Sequence, residues 1–537
     1  MRTETTFSRF VSAAETYRDR PFLAVLPETA ALYGIEAGEI GYGAMLDRVL
    51  AWQQRLAQAG FGVGTRVGLL LQNRPVFVEI WFALNGLGAS VVPLNPDLRR
   101  SELEYVIGHS EMQAAFVLPE RREEVAAAAR SVGNAMAVTT PGEAIPPLAR
   151  PAAAAPAPDS TTEAALLYTS GTTGSPKGCV LTNAYFLQSG DWYRDVGGLI
   201  SLRTGAERML TPLPVFHMNA MAVSVLAMVT MGGCLILLDR FHPSSWWQSV
   251  RQSRATCLHY LGVMPSILMK APETPEDRAH AVRFGFGAGV PGALHGAFEA
   301  RFGFPLIEAW AMTETGGGGT ICASREPRKI GTSCFGRPSR DVEIRIVDDQ
   351  GADVAGETPG ELLVRRTGDD PRKGFFREYL KNPEATEEAW QGGWFHTGDI
   401  VARDADGDLH FVDRKKNVIR RSGENIAAVE VETVLARHPR IQQVAIAATP
   451  DAVRGDEVAA LIVCDPAQRS AETAEAIVRW SLDQMAYYKA PGWVAFVDAL
   501  PRTPTEKILR AALKDQVAQV MAEGGFVDTR ALKKRQV

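Results

Sequence analysis

The chain has 537 residues, 46% of them hydrophobic and 22% charged, which is ordinary for a soluble globular protein with several compact units. Its formal net charge of −5 offers no basic surface, so nucleic acid is not expected as a partner. Its six cysteines are scattered without a Cys-x-x-Cys pair, which predicts free thiols in a reducing compartment and argues against disulfides or a zinc site.

The N-terminal residues lack the apolar segment of a secretory signal, so we expect the protein to be cytoplasmic. One uncharged run, residues 220–238, is long enough to cross a bilayer. Gly232 and Gly233 divide it into a helix-length part and a strand-like part. A buried helix followed by a buried strand is therefore favoured over a membrane span.

The N-terminal part of the chain alternates helical and strand-like patterns. An amphipathic helix is predicted for residues 42–59. A buried strand at 67–73, a helix at 76–87 and a second strand at 89–95 follow. This order predicts a parallel βαβ unit. Residues 141–158, rich in proline and alanine, are predicted to form an exposed connector.

The most informative stretch is Tyr168–Gly178, which reads YTSGTTGSPKG and follows a short apolar, strand-like run. Its glycines allow backbone N–H groups to turn inward, its hydroxyls add donors, and Lys177 adds a positive charge. Such a loop suits a polyphosphate. It is not a Walker A loop, because the Gly-Lys-Ser/Thr element is missing. A solvated linker is the alternative, but the preceding strand and the closing Pro-Lys-Gly favour the phosphate site.

This stretch resembles the phosphate-binding signature of the adenylate-forming superfamily, which includes acyl-CoA synthetases, peptide-synthetase adenylation domains and luciferases. The resemblance implies an ATP-dependent acid:CoA ligase with ATP, Mg²⁺ and coenzyme A as cofactors and a small carboxylic acid as substrate. Adenylation with transfer to a carrier-protein thiol is an alternative. The loop residues that the resemblance assigns to the phosphates are Thr169, Ser170, Gly171, Thr172, Thr173, Gly174 and Lys177.

The resemblance also implies the fold and the domains. We expect an α/β fold with a large N-terminal domain of αβ-layered sheets, including a small β-barrel-like subdomain, and a small mobile α+β C-terminal domain. The expected adenylation domain is 1–415 and the expected lid domain is 416–537. The oligomeric state stays open, with a homodimer as one option.

His217 follows a proline-containing turn in the segment TPLPVFHMNAM. A single histidine in such a place is more often a core residue with satisfied hydrogen bonds. In the resembled family this segment borders the acyl pocket near the reacting carboxylate. The resemblance therefore makes His217 a pocket residue, in a catalytic group with Thr173, Glu314 and Lys507.

Residues 287–292 satisfy the pattern Gly-x-Gly-x-x-Gly between a strand-like run and a helix, and Glu308 follows at the distance of a dinucleotide fold. Taken alone, this pattern predicts a nicotinamide cofactor and an oxidoreductase. Pro291 inside the pattern argues against it. In the resembled family this loop and a following strand surround the adenine, which assigns to it Gly287, Ala288, Gly289, Glu308, Ala309 and Trp310.

Thr313 and Glu314 lie beside four glycines. A hydroxyl and a carboxylate at such a loop suit a magnesium ion bound to phosphate oxygens. A helix N-cap is the alternative. The resembled pattern Tyr-Gly-x-Thr-Glu implies an aromatic ring on the adenine and the glutamate on magnesium. This chain has Trp310 and Ala311 in place of Tyr and Gly, and the methyl group of Ala311 is expected to narrow the acyl pocket.

Asp399 ends the run His-Thr-Gly-Asp, where an acceptor-only carboxylate at a strand end can take both hydroxyls of a ribose. An ordinary turn is the alternative. In the resembled family the aspartate binds ribose, Arg414 contacts ribose or phosphate, and Lys416 is the hinge between domains. Ser422 and Gly423 begin the loop that approaches the pantetheine thiol of CoA. Without the resemblance, this basic stretch would be a solvated charged loop.

The C-terminal part is predicted to be a small α+β domain, with a helix at 429–438, strands at 443–448 and 457–464, and a helix at 471–485. Lys507 corresponds to the catalytic lysine of the resembled family, although Glu506 replaces the usual glycine before it; a solvated surface lysine is the alternative. The segments FHMNAM, FVDR and SGENIAAVEVE resemble those of the crotonobetaine/carnitine-CoA ligase branch. This resemblance implies a short or medium acid of polar character.

Overall fold

The structure is a computed structural model and describes residues 3–169, 176–348, 350–414, 418–501 and 510–534. The chain divides into two compact units. The first comprises Met1–Pro96, Gly108–Leu167 and Gly178–Asp413, and the second comprises Asp97–Ile107, Tyr168–Lys177 and Arg414–Val537. The expected domain boundary between residues 415 and 416 lies outside the described residues and stays a prediction.

The helices, in chain order, are α1 (Thr6–Thr16), α2 (Pro27–Tyr33), α3 (Tyr42–Gln58), α4 (Pro75–Gly86), α5 (Arg100–Ser110), α6 (Arg122–Ser131), α7 (Asn183–Asp195), α8 (Val225–Met231), α9 (Trp246–Ser253), α10 (Val263–Leu268), α11 (Gly292–Phe302), α12 (Pro383–Ala389), α13 (Ala428–Leu435), α14 (Ala471–Gln484) and α15 (Arg510–Ala522).

The strands, in chain order, are β1 (Pro21–Val25), β2 (Gly38–Gly41), β3 (Arg66–Leu70), β4 (Ser90–Pro93), β5 (Ala114–Val117), β6 (Ala137–Thr139), β7 (Glu163–Thr169), β8 (Lys177–Thr182), β9 (Arg208–Thr211), β10 (Cys234–Leu237), β11 (Cys257–Leu261), β12 (Phe284–Ala288), β13 (Leu306–Trp310), β14 (Ile321–Cys322), β15 (Cys334–Gly336), β16 (Val342–Val347), β17 (Gly360–Arg366), β18 (Glu378–Tyr379), β19 (Phe395–Arg403), β20 (Leu409–Arg414), β21 (Val418–Arg421), β22 (Glu424–Ala427), β23 (Gln443–Asp451), β24 (Gly455–Val463), β25 (Trp493–Phe496) and β26 (Val527–Asp528).

The first unit is built on three sheets, and the predicted α/β fold is confirmed. Two are mostly parallel, with strand orders β14-β13-β12-β11-β9-β10-β1-β2 and β18-β8-β7-β4-β3-β5-β6. The third has the order β15-β20-β19-β17-β16, in which β15 pairs antiparallel with β20, and β17 with both β16 and β19. This sheet corresponds to the expected β-barrel-like subdomain. In its strand order, β15 and β16 are the two edge strands.

The predicted βαβ unit is present, since β3 and β4 pair in parallel on either side of α4. Both strands are almost wholly buried, and α4 is buried along most of its length. Parallel strands covered on both faces give continuous apolar runs rather than alternation. That is the pattern from which the unit was predicted.

The uncharged run at 220–238 forms a buried helix and a buried strand, as predicted. A π-helical segment, Asn219–Ser224, continues into α8, and Gly232 ends the helix with a left-handed backbone at φ 66°. Strand β10 follows inside the eight-stranded sheet. Among the described residues, no helix is long and apolar enough to cross a membrane.

The second unit contains a mixed sheet in the order β22-β21-β24-β25-β26, with β23 paired to β24. Helices α13 and α14 pack on it through a core that includes Val431, Leu435, Ile477 and Val478. The predicted helices and strands of this region are all present, and their ends match the prediction or differ from it by up to three residues. This is an α+β arrangement with its own hydrophobic core.

Candidate functional site

Two neighbouring parallel strands bring the predicted adenine segments together. Strands β12 and β13 pair in register, with Gly287 opposite Glu308. Their carboxyl ends therefore lie side by side, which is the edge of a parallel sheet where ligands bind. A Cβ on Gly287 would lie 2.3 Å from the carbonyl oxygen of Tyr260. Only glycine fits at this point.

Glu308 is buried and its carboxylate is fully engaged on this edge. It accepts hydrogen bonds from the hydroxyl of Tyr260 at 2.8 Å and from the backbone N–H groups of Gly289 and Val290 at 2.8 and 3.1 Å. Burial raises the pKa of Glu308, and these hydrogen bonds oppose that rise. The carboxylate thus fixes the Gly-rich loop against β13.

This arrangement argues against a dinucleotide site. A helix, α11, does follow the loop, as the Gly-x-Gly-x-x-Gly pattern predicts. In a dinucleotide fold, however, the N–H groups of the loop bind the pyrophosphate. Here two of those N–H groups donate to Glu308 instead.

Trp310 and Asp399 meet although 89 residues separate them in sequence. The indole N–H of Trp310, at the end of β13, donates to Oδ2 of Asp399 at 2.8 Å. Both side chains are buried, and Asp399 is 1% exposed. The tryptophan that replaces the expected tyrosine therefore holds the aspartate expected to bind ribose.

The prediction that Asp399 lies at a strand end is wrong. It lies inside β19, where the pairing with β17 shifts register between Glu361 and Leu363. Gly398 has φ 67° at this bulge, and the N–H of Asp399 donates to the hydroxyl of Thr397 at 3.0 Å. A bulge re-aims one side chain without ending the strand, which explains why a turn-like sequence occurs there.

Thr313 and Glu314 follow β13 in a turn. The helix N-cap alternative for Thr313 is wrong, because a turn and a short 3₁₀ segment, Gly316–Gly318, follow it. The hydroxyl of Tyr379 donates to Oε1 of Glu314 at 2.9 Å, and that of Tyr185 donates to the carbonyl of Thr313 at 2.8 Å. Glu314 is 7% exposed. Its carboxylate is thus held at one oxygen by a buried phenol.

Sequence reasoning missed Tyr379, Tyr185 and Tyr260, the three tyrosines that hold this edge. Tyr379 lies 65 residues from Glu314 and Tyr260 lies 48 residues from Glu308. Burial raises the pKa of each of the three hydroxyls. They therefore act as neutral donors. No local pattern could have identified them, since each contact joins distant elements.

His217 lies in the turn before the π-helical segment. Its N–H donates to the carbonyl of Pro214 at 3.0 Å, its carbonyl accepts from Met221 at 3.0 Å, and its ring lies 4.7 Å from that of Phe216. The turn is thus locked by backbone bonds on both sides of the histidine.

A buried polar network lies along the π-helical segment Asn219–Ser224, which follows His217. The ring nitrogens of His259, on β11, are hydrogen-bonded to three side chains. They lie 3.2 Å from the hydroxyl of Tyr193, 2.8 Å from the hydroxyl of Ser224 and 3.0 Å from Oδ1 of Asn219. Burial lowers the pKa of His259 to about 3, so it is neutral. Hydrogen-bonding groups therefore reach the interior beside the segment of His217.

The phosphate loop is described at its two ends. Thr169 is the last residue of β7 and Lys177 the first of β8. Ser170, Gly171, Thr172, Thr173 and Gly174 lie outside the described residues. The same holds for Lys416 and Lys507 and for the side chain of Arg414, whose backbone ends β20.

Ser422 and Gly423 form the turn between β21 and β22. Both have positive φ, 51° and 94°. This is the two-residue hairpin geometry in which the first position disfavours residues other than glycine or asparagine. The described residues do not bring this turn and the β12–β13 edge together in one unit.

Comparison with known proteins gives consistent matches along the chain. The family model "AMP-binding enzyme" matches residues 12–380, and "AMP-binding enzyme C-terminal domain" matches residues 430–507. Crotonobetaine/carnitine-CoA ligase of Citrobacter koseri is 30% identical over 495 residues, covering 89% of this chain and 93% of that protein. Sulfoacetate-CoA ligase of Cupriavidus necator is 32% identical over 500 residues, covering 91% and 94%. A solved malonyl-CoA ligase with methylmalonyl-CoA and AMP bound has a TM-score of 0.74 at 28% identity, covering 90% and 97%.

Proposed function

The chain belongs to the family of AMP-binding enzymes, and from that premise we propose how its residues carry out the reaction. It is an ATP-dependent acid:CoA ligase that activates a carboxylic acid as acyl-AMP and transfers the acyl group to CoA, releasing pyrophosphate and AMP. ATP, Mg²⁺ and CoA are its cofactors. The family resemblance drawn from YTSGTTGSPKG is confirmed.

The hydrogen bond between Trp310 and Asp399 is the observation that carries the assignment of the nucleotide site. It places a broad aromatic ring, which can stack on a nucleotide base, beside a carboxylate, which can accept hydrogen bonds from the ribose. In the proposal the adenine lies on Trp310, bordered by Ala309, Glu308 and the loop 287–289, and Asp399 accepts the ribose hydroxyls. Arg414 adds a contact to ribose or phosphate.

The first half-reaction brings two anions together, because the substrate carboxylate must attack the α-phosphate of ATP. In the proposal Lys177, Lys507 and the loop 169–174 offset this repulsion, and Thr173 and His217 complete the catalytic group. Preorganised donors of this kind are among the largest contributions to catalysis, since they need no reorganisation as charge develops.

Glu314 is the residue proposed to hold Mg²⁺, together with the hydroxyl of the neighbouring Thr313. The donor set fits, because this ion takes oxygen ligands, often a single protein carboxylate, and keeps several waters. The buried Glu314 carboxylate is already oriented by Tyr379. When bound, the ion supplies positive charge at the phosphate oxygens.

For the substrate we propose a short or medium acid that carries a second polar or charged group. The relatives act on carnitine or crotonobetaine and on sulfoacetate, according to their names. The buried network of His259, Tyr193, Ser224 and Asn219 supports a polar partner, because it places hydrogen-bonding groups in the interior next to the His217 segment. Ala311 is expected to limit the chain length.

The second half-reaction is proposed to follow a rotation of the C-terminal lid, residues 416–537, relative to the adenylation domain, residues 1–415. Lys416 would be the hinge, and a few residues suffice to absorb such a motion. The rotation would replace the Lys507 loop by the Ser422–Gly423 turn, so that the CoA thiol gains access to the acyl-AMP.

One experiment tests the function. Pyrophosphate release is measured over a panel of carboxylic acids, including carnitine-like acids, sulfoacetate, dicarboxylates and unsubstituted fatty acids, with and without CoA. We expect release to depend on a short polar acid and turnover to depend on CoA. A carrier-protein pantetheine that replaces CoA would indicate the alternative acceptor. Long unsubstituted acids as the best substrates would contradict the substrate proposal.

For its location we propose the cytoplasm, supported by six cysteines that are all buried as free thiols. For its assembly we propose a homodimer, to be tested by light scattering of the purified protein.

A further inference from the structure

A cluster of three charged side chains lies buried in the second unit, next to the Ser422–Gly423 turn. Arg421 donates from Nε to both carboxylate oxygens of Glu457, at 2.8 and 2.9 Å. The ammonium of Lys533 contacts Oε1 of the same carboxylate. The three side chains are at most 1% exposed. The carboxylate of Glu457 therefore pairs with two cationic side chains, and all three groups are closed to solvent.

The excess positive charge makes this cluster unfavourable to bury. Burial and, next, the guanidinium of Arg421 lower the pKa of Lys533 to about 7, even though Glu457 opposes the shift. An apolar side chain of similar volume at position 533 would avoid the free-energy cost of burying a second positive charge. Packing of the domain therefore gives no reason for a lysine here.

The backbone of the turn beside the cluster is strained. Ser422 is not a glycine, yet it has φ 51°, a conformation that persists only where its surroundings fix it. Its N–H donates to the carbonyl of Arg454 at 2.9 Å. Arg421, the residue before it, pairs with Glu424 across the hairpin and with Gly455 of β24. The side chain of Arg421 is thus the anchor at the base of the turn.

Lys533 comes from residues 527–533, which we call the C-terminal strap. The strap is tied to the sheet, because β26 pairs with β25 and Thr529 donates its N–H to Gly492 and its hydroxyl to Pro491. A Cβ on Gly492 would lie 2.5 Å from the side chain of Glu457. The segment to which Thr529 of the strap is hydrogen-bonded therefore lies close against Glu457, the carboxylate that Lys533 contacts.

We propose that Lys533 is a positioning residue for the CoA step: from the C-terminal strap it holds Glu457 against Arg421 and so fixes the Ser422–Gly423 turn in the shape that admits the pantetheine thiol. The inference rests on the proposed function, in which this turn approaches the thiol. Because the three side chains are closed to solvent, they act on CoA through the turn and not by direct contact.

The test is Lys533→Met, which removes the ammonium and leaves one carboxylate facing one guanidinium. We expect the thermal midpoint to stay at or above that of the wild type, because the excess charge is gone. Acyl-adenylate formation, followed by ATP–pyrophosphate exchange, should be unchanged. The KM for CoA should rise about tenfold, as expected when a hydrogen bond between charged groups is lost. Lys534→Met, at the exposed neighbour, is the matched control and should change none of these quantities.

A double-mutant cycle tests whether Lys533 acts through Glu457. Glu457→Gln alone should raise the KM for CoA, and adding Lys533→Met should raise it no further, since both changes break the same connection. Additive effects would overturn the proposal. So would an unfolded Lys533→Met chain, an unchanged KM for CoA, or equal losses in both half-reactions.

The outcome separates this inference from the proposed function. A wild-type protein that forms no CoA thioester with any acid refutes the proposed function, and the inference with it. A wild-type protein that forms the thioester, with Lys533→Met behaving like it, refutes the positioning role alone.

Discussion

Trp310→Phe is the sharpest test of the nucleotide site. The change keeps an aromatic ring for the adenine and removes the indole N–H that donates to Asp399 at 2.8 Å. Asp399 is 1% exposed, so water does not readily replace the lost donor. A hydrogen bond to a charged group contributes about 1.5–3 kcal/mol, which corresponds to a loss of about 10- to 150-fold in kcat/KM for ATP.

The assay is ATP–pyrophosphate exchange with the preferred acid, measured with ATP and with 2′-deoxy-ATP. We expect the wild type to discriminate strongly against the deoxy nucleotide and Trp310→Phe to discriminate less, because an unheld Asp399 no longer points at the ribose. Trp394→Phe, just before the same strand, is the matched control, since Trp394 packs against Arg365. Undiminished ribose discrimination in Trp310→Phe would refute the role given to this hydrogen bond.

Lys507→Ala should reduce acyl-adenylate formation by roughly 10²- to 10³-fold and leave thioester formation from supplied acyl-adenylate intact; equal loss in both steps would remove the lysine from its proposed role. Lys416→Pro should impair one half-reaction and spare the other in single-turnover kinetics, and a variant with both steps intact would contradict the hinge. Tyr379→Phe should raise the Mg²⁺ concentration needed for half-maximal adenylation by about tenfold, the effect of losing a group that orients a metal ligand; an unchanged Mg²⁺ titration would argue against Glu314 as that ligand. The free energy of unfolding should rise between pH 7 and about 10 by at most about 1.4 kcal/mol per pH unit, because the pKa of Lys533 is lowered to about 7 and the unfolded chain binds the proton that the folded chain lacks. Chemical denaturation of Lys533→Met across this range should lack that part of the slope, and identical slopes would contradict the shifted pKa.

The fold followed closely from the sequence where apolar runs were long and uninterrupted. Strands β3 and β4 and helix α4 are buried on nearly every side, so each is visible as a continuous apolar segment. The glycine pair at 232 and 233 likewise divided a helix from a strand correctly. In these places the local pattern and the tertiary environment agree.

The site was predicted less completely, because its geometry depends on contacts between distant elements. Glu308 was assigned to the adenine edge, but nothing in its neighbourhood shows that Tyr260 donates to it. The bulge that aims Asp399 arises from the pairing of β17 with β19, and a Thr-Gly-Asp sequence alone resembles a turn. The phosphate-loop residues 170–174 and Lys507 lie outside the described residues, so their roles stay predictions.

The buried state of all six cysteines has a practical consequence for following the reaction. Burial raises the pKa of the Cys234 and Cys322 thiols to about 12, so neither supplies a reactive thiolate at neutral pH. A colorimetric thiol reagent added to the folded enzyme should therefore report the disappearance of free CoA against a low protein background. Because the buried native cysteines react poorly, a dye can be attached to a cysteine engineered at any exposed position without first removing them.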